Sequence, residues 1–284
     1  MRTEIKFKAN DVELAGWLYR PTTTGPHPLI ILSHGFSALM EMGLAAYAEA
    51  FCAAGFACLV YNHRNFGASE GMPRHEIDPW QQVADTRDAI SFARTLTGVD
   101  PERIGLWGTS YSGGHAIVIA ALDRRIRCVV SQVPLVAGYA TLRGWVPPEA
   151  WPKLQARFIE DRDARYRGAA PRTTQPAREG TETWDWVIAT QSETLYPNEI
   201  TQRSLELLGT YEPGSYIERV APTPLLMILA RNDEQTPFDG QLATFERAGV
   251  PKRLLTLDCK HYDPYTREFA HACKAACDWF IEHL

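Results

Sequence analysis

The chain has 284 residues, 45% hydrophobic and 11% aromatic, enough to bury a large core as one α/β domain or one and a half. A formal net charge of -5, a pI near 5.9 and the absence of any basic cluster argue against nucleic acid or an anionic membrane as partner. The N-terminus (MRTEIKFK) alternates charged and apolar residues, and no stretch approaches the roughly 18 uncharged residues of a spanning helix, so a soluble, cytoplasmic protein is expected.

Residues Thr3 to Tyr19 alternate around a turn at Asn10 and Asp11, which predicts an antiparallel hairpin. A polar Thr/Pro loop over Pro21 to Pro28 leads into a strand at Leu29 to Ser33, a helix at Leu44 to Ala54 and a strand at Ala57 to Tyr61. A glycine-bearing loop from Asn62 to Gly71 and a helix at Trp80 to Leu96 follow. The strand Arg103 to Trp107 then runs through Ser110 to an apolar helix at His115 to Leu122, with a further strand at Cys128 to Gln132. Short continuous apolar strands alternating with helices predict a mostly parallel sheet covered on both faces.

Between Pro134 and Pro222 the pattern breaks: prolines recur at 147, 148, 152, 171 and 176, and four of the eight tryptophans (Trp145, Trp151, Trp184, Trp186) fall here. A structureless loop of that length is out of place in a compact domain, so residues 135–221 are read as an inserted helical cap between two core portions, 1–134 and 222–284. Alternation resumes with a strand at Pro224 to Ala230, a helix at Phe238 to Ala248, a strand at Lys252 to Leu257 and a closing helix at Thr266 to His283. The six cysteines are scattered through apolar segments without Cys-x-x-Cys or zinc spacing, and read as free thiols; no metal or organic cofactor is expected.

The chemistry centres on Gly108 to Gly114 (GTSYSGG). A strand, a serine between small residues and an apolar helix form the turn that lifts a hydroxyl out of a packed sheet, and its strained backbone requires small neighbours two before and two after, here Gly108 and Ser112. Ser110 is the candidate nucleophile. Ser112 offers a second hydroxyl, but one that lies inside the helix. A serine needs a base and a group to orient that base, both expected beyond the carboxyl ends of later strands. The first such loop after the cap carries Asp233, with Glu234 beside it. The last carries His261, flanked by Asp258 and Asp263, while His271 and His283 belong to the closing helix. Asp85 and Asp88 are expected to bond backbone or solvent. Preformed backbone donors for an oxyanion are expected at Tyr111 and, after the third strand, at Phe36, with His34 bracing that loop.

These residues resemble the α/β-hydrolase superfamily over nearly the whole chain apart from the cap: SHGF (33–36), YNHRNFGASEG (61–71), GTSYSGG (108–114), RND (231–233) and His261. Within it the chain is similar to the dienelactone-hydrolase-like and Xaa-Pro-peptidase-like branch, and to fungal polyketide transferases. True dienelactone hydrolases carry a cysteine where this chain has Ser110.

The expected activity is cleavage of a small-molecule carboxylic ester or lactone through an acyl-enzyme, with Ser110, His261 and Asp233 as triad. An acyltransferase using the same intermediate, an Xaa-Pro-type peptidase, with Glu41 or cap acids as sites for a free amino terminus, and a non-catalytic binding protein are the alternatives. The four cap tryptophans either wall the cleft for an acyl chain or fasten the cap to the core. The arginines at 157, 162, 165 and 167 interleave with Glu160, Asp161 and Asp163, as on a solvated helix face. Oligomeric state is not legible, and a homodimer is left open.

Overall fold

The computed structural model describes residues 1–191 and 196–284. The opening hairpin is β1 (Arg2–Ala9) and β2 (Val12–Tyr19), paired antiparallel with Ala9 opposite Val12 across the turn. Then come β3 (His27–Ser33), α1 (Leu44–Ala53), β4 (Ala57–Tyr61), α2 (Pro79–Ala93), β5 (Val99–Thr109), α3 (Tyr111–Leu122) and β6 (Ile126–Gln132). Asp78 starts α2 by accepting the amides of Trp80 and Gln81, with Pro79 at the first helical position.

After β6 the chain leaves the sheet to form α4 (Gly138–Trp145), α5 (Trp151–Tyr166), the short β7 (Thr173–Thr174), α6 (Glu182–Thr190), β8 (Ile200–Thr201) and α7 (Gln202–Leu208). It returns through a 3₁₀ turn at Pro213–Arg219 to β9 (Leu225–Ala230), α8 (Phe238–Arg247), β10 (Lys252–Leu257) and α9 (Phe269–His283). The eight-stranded sheet has the order β1-β2-β4-β3-β5-β6-β9-β10, parallel from β4 onward. This is the α/β-hydrolase arrangement.

Two cores sandwich the sheet because its central strands are apolar on both faces. Leu29 and Ile31 of β3, with Leu225, Met227 and Leu229 of β9, point into the core beneath α2 and α3. Ile30 and Leu32, with Leu226 and Ile228, point into the one beneath α1 and α9. Each such side chain contributes about 1.5–3 kcal/mol on burial, an upper estimate given a compact unfolded state. This is the reason those strands read as unbroken apolar runs.

Several boundaries differ from expectation, among them the end of α2, which falls at Ala93 where Leu96 was expected. β5 starts at Val99, which pairs with His27 ahead of a register shift, so the polar stretch before Arg103 belongs to the strand. The helix after Ser110 starts at Tyr111 and takes in both glycines, because a Cβ at Gly113 would meet Pro134 at 2.9 Å and one at Gly114 the Leu135 carbonyl at 2.5 Å. The closing helix starts at Phe269, since Asp263–Tyr265 coils as a separate 3₁₀ turn. All six cysteines are free thiols, and no helix among the described residues is long and apolar enough to cross a membrane.

Candidate active site

Ser110 occupies the sharp turn between β5 and α3 with φ 55 and ψ -119, a conformation that costs about 1–3 kcal/mol unless its surroundings impose it. Here they do: its N–H donates to the Gln132 carbonyl at 2.8 Å, and its own carbonyl accepts from Gly113 and Leu135 at 2.9 Å. A Cβ at Gly108 would come within 2.0 Å of the Ser112 carbonyl, so the residue two before Ser110 must be glycine.

Ser110 Oγ lies 3.1 Å from Nε2 of His261, and His261 Nδ1 lies 2.8 Å from Asp233 Oδ2. The serine comes from the end of β5, the acid from the loop after β9 and the histidine from the loop after β10. Both partners are buried. Asp233 Oδ1 accepts the amides of Gln235 and Thr236 at 2.8 Å, and Oδ2 also accepts from the Thr236 hydroxyl at 2.9 Å. Burial pushes this carboxyl up, but the neighbouring imidazole and these hydrogen bonds outweigh it, holding Asp233 below the usual carboxylate range. Such a chain can carry a proton off a hydroxyl and stabilise the imidazolium that results.

Facing Ser110 is the loop after β3. A Cβ at Gly35 would sit 3.1 Å from the Ser110 Cβ, so glycine permits the close approach of this backbone. Among the described residues neither the Phe36 nor the Tyr111 N–H donates a hydrogen bond, and Tyr111, as first residue of α3, has no intrahelical acceptor. Their rings pack edge to face at 5.2 Å. His34 Nδ1 donates to the Gly35 carbonyl and Nε2 accepts the His63 N–H at 3.3 Å; burial pushes its pKa down to about 4.

These groups open onto a cavity of about 670 Å³. Its apolar lining includes Phe36, Leu135, Leu142, Trp145 and Val146. The lining residues between Thr174 and Trp186 are mainly polar and include Gln175, Arg178, Glu182 and Asp185. Of the four tryptophans, Trp145 and Trp186 line the cavity. Trp151 and Trp184 do not: Trp151 lies under the Arg143 guanidinium at 4.4 Å, and Trp184 packs against the core.

The other candidates lie elsewhere. Ser112 Oγ faces His63, Glu234 is exposed at the cavity edge, Asp258 accepts from Asn232 and Asp263 caps the Lys260 amide. His271 pairs with Glu268, and His283 packs on Trp279. Glu41 accepts from Asn62 and does not line the cavity. Asp88 accepts the Asn10 N–H, but Asp85, buried, pairs with the Arg64 guanidinium at 2.5 Å, because a buried carboxylate needs a countercharge. On α5 and around it, Arg162 pairs with Glu206, Arg165 with Asp161 at 2.8 Å and Arg172 with Glu160 at 2.8 Å, and none of these side chains reaches the cavity.

The sequence reading missed Thr236, whose spacing three after Asp233 is that of an Asx-type turn, and the residues by which the segment between β6 and β9 grips the site loops. Tyr196 bonds Ser37 Oγ at 2.9 Å on the β3 loop, and Trp145 Nε1 donates to the Gln235 carbonyl at 2.9 Å on the acid loop. The Tyr262 hydroxyl donates to Thr183 Oγ1 at 3.0 Å on the histidine loop. No sequence signal marks such long-range pairs.

Residues 10–263 match the model of the X-Pro dipeptidyl-peptidase (S15) family. The chain belongs to that family. It is 34% identical to the quorum-quenching protein AidA of Acinetobacter baumannii over 82% of this chain and 79% of that protein. It is also 34% identical to the thiohydrolase aneE of Aspergillus aculeatus over 89% of this chain and 83% of that one. The structure of DcsB in complex with its substrate analogue superposes with a TM-score of 0.89 at 26% identity, covering 100% of this chain and 99% of that one. The S15 chain described here thus stands among hydrolases and acyltransferases of the α/β-hydrolase fold, and is an enzyme.

Proposed function

We propose that this enzyme is a serine hydrolase that cleaves a small-molecule carboxylic ester, lactone or thioester through an acyl-enzyme. The observation that carries the reading is the hydrogen-bonded series Ser110, His261, Asp233 opposite two undonated amides at Phe36 and Tyr111. Ser110 Oγ attacks the carbonyl carbon as His261 Nε2 takes its proton, and Asp233 holds the imidazolium. The Phe36 and Tyr111 N–H groups receive the oxyanion. Collapse expels the leaving group with the proton from His261, and a water deprotonated by the same imidazole releases the acid. Residues 135–221 act as a cap that, with Phe36, supplies the apolar lining for the acyl part and, from Thr174 to Trp186, the polar lining for the oxygenated part. Thioester cleavage enters because relatives carry the name thiohydrolase.

Acyl transfer to an alcohol is the second reading, favoured by a cavity of about 670 Å³, large enough for an acyl chain with an acceptor beside it. The test is a panel of acyl esters, lactones and thioesters, with intact-mass detection of the adduct and product analysis with and without alcohols. Ser110→Ala is expected to keep the fold and lose about three or more orders of magnitude in turnover with no adduct. A variant retaining a tenth of the rate removes Ser110 from the role.

A further inference from the structure

One face of α6 closes on the histidine loop. The Trp186 ring stacks on Tyr262 at 5.0 Å and 20°, Thr183 takes the Tyr262 hydroxyl, and Glu182 Oε1 accepts the Tyr262 N–H at 3.4 Å. The Tyr262 ring in turn meets the His261 imidazole edge-on at 4.9 Å. The other carboxylate oxygen of Glu182, Oε2, is buried with no hydrogen-bond partner among the described residues. A buried carboxylate oxygen without a donor is costly unless a positive charge lies near it. The group that gains such a charge during the proposed reaction is His261, the chain neighbour of Tyr262, which lines the same cavity as Glu182.

We propose that Glu182 is a positioning residue for the reaction: fixed to the Tyr262 amide, its carboxylate supplies a second negative charge, beside that of Asp233, to the imidazolium formed when the Ser110 proton moves to Nε2. The proposal rests on the serine-hydrolase reading above. In that step the Ser110 O–H bond breaks, an Nε2–H bond forms, and the positive charge is left on a ring bonded at Nδ1 to Asp233, while Glu182 is held on the amide of the next residue, Tyr262, and lines the same cavity as His261. Burial, joined by the nearby Asp233 charge, raises the Glu182 carboxyl above its usual range, and the Tyr262 amide and the positive charges of His261 and Lys260 offset only part of that rise. The remaining charged groups around the ring are Lys260, Glu234, Asp185 and Arg178, all exposed and screened by solvent. Tyr262 is kept neutral, its hydroxyl pushed far up by burial. Because Glu182 belongs to α6, the second charge is present only while the cap is seated.

The test is Glu182→Gln, which keeps the shape and the acceptor for the Tyr262 amide and removes the charge. Without that anion the imidazolium is less stable, so the acid limb of the kcat/KM profile is expected to move to lower pH by about 0.5–1 unit, equivalent to roughly 3- to 10-fold weaker proton binding. An imidazole NMR titration of His261 in the Ser110→Ala background, with and without Glu182→Gln, should show the same shift in the absence of turnover. Thr183→Val breaks a Tyr262 contact without changing charge and should leave the limb in place. If Glu182→Gln does not fold, Glu182→Asp, which draws the charge away by one methylene, must still lower the limb. A slower Glu182→Gln enzyme whose limb and His261 titration stay at the wild-type values overturns the proposal. Full activity in Ser110→Ala sinks the serine-hydrolase reading instead, and the two failures are read from different proteins.

Discussion

Ser112 Oγ stands 3.1 Å from Nε2 of His63, both buried, two residues beyond the serine at the turn. Nδ1 of His63 has no partner among the described residues, so this hydroxyl is the ring's one hydrogen-bond partner there. Ser112→Ala therefore strands a buried imidazole and is expected to cost about 1–3 kcal/mol in denaturant unfolding, with turnover near wild type. Collapse of turnover with unchanged stability would instead make Ser112 a participant in the chemistry.

The His63 ring packs against those of His34 at 4.5 Å and His115 at 5.9 Å, and burial keeps all three neutral. His115 is fixed between the Tyr211 hydroxyl at 2.8 Å and Gln82 Oε1 at 3.0 Å, with its pKa pushed down to about 3. An unfolded imidazole titrates near ~6.5, so below that pH the unfolded chain binds protons that the folded one does not. The stability from burying these rings neutral is whole above ~6.5 and falls as pH drops, by about 1.4 kcal/mol per pH unit per ring, until the folded pKa is reached. For His34 that is about 4 and for His115 about 3. Denaturant midpoints of His115→Gln should accordingly fall less steeply between pH 6 and 4 than those of the wild type. Parallel curves would mean that this ring is not neutral in the native state.

Gly35 meets Ser110 closely, since an added Cβ would lie 3.1 Å from the Ser110 Cβ and 3.4 Å from Oγ, a fit that needs a shift of a few tenths of an ångström. Gly35→Ala must push either the hydroxyl or the Phe36 amide out of place. A loss of about 10- to 100-fold in kcat with little change in Tm is expected, as for a displacement of under an ångström at reacting atoms. Retention of full kcat would show that the Phe36 amide does not serve as an oxyanion donor.

Gly108 makes the opposite contrast. An alanine there would place its Cβ 2.0 Å from the Ser112 carbonyl, a clash with backbone that no rotamer relieves. Gly108→Ala should destabilise by about 1–3 kcal/mol or more and lose activity together with the fold, as monitored by circular dichroism and turnover. A stable, active variant would refute the argument that the turn needs glycine at this position.

What was legible in the sequence is what local rules govern. The hairpin turned at Asn10 and Asp11 and the buried strands appeared because alternation and unbroken apolar runs are short-range signals. Ser110, Asp233 and His261 could be picked out because each follows a strand, and the parallel sheet delivers all three strand ends to one edge. The apolar run from His115 marked the buried body of α3 and Ser112 read as already inside it, whereas the packing of Gly113 and Gly114 on Pro134 and Leu135 leaves no local signal, because only their lack of a Cβ matters. Between β6 and β9 the four tryptophans could not be sorted, since their spacing leaves open whether a ring faces the cavity, as Trp186 does, or Arg143, as Trp151 does. Glu182 and Tyr196 were invisible for the same reason: their partners are about 80 and 159 residues away.

Tyr196 on Ser37, Trp145 on Gln235 and Thr183 on Tyr262 give the stretch between β6 and β9 a hold on three of the loops around Ser110, those of Phe36, Asp233 and His261. Grafting a relative's insert onto this core would therefore exchange more than a substrate pocket. It would leave Ser37, Gln235 and Tyr262 without their tethers, so recombination at the β6 and β9 boundaries should yield folded but sluggish chimaeras unless those three partners travel with the insert.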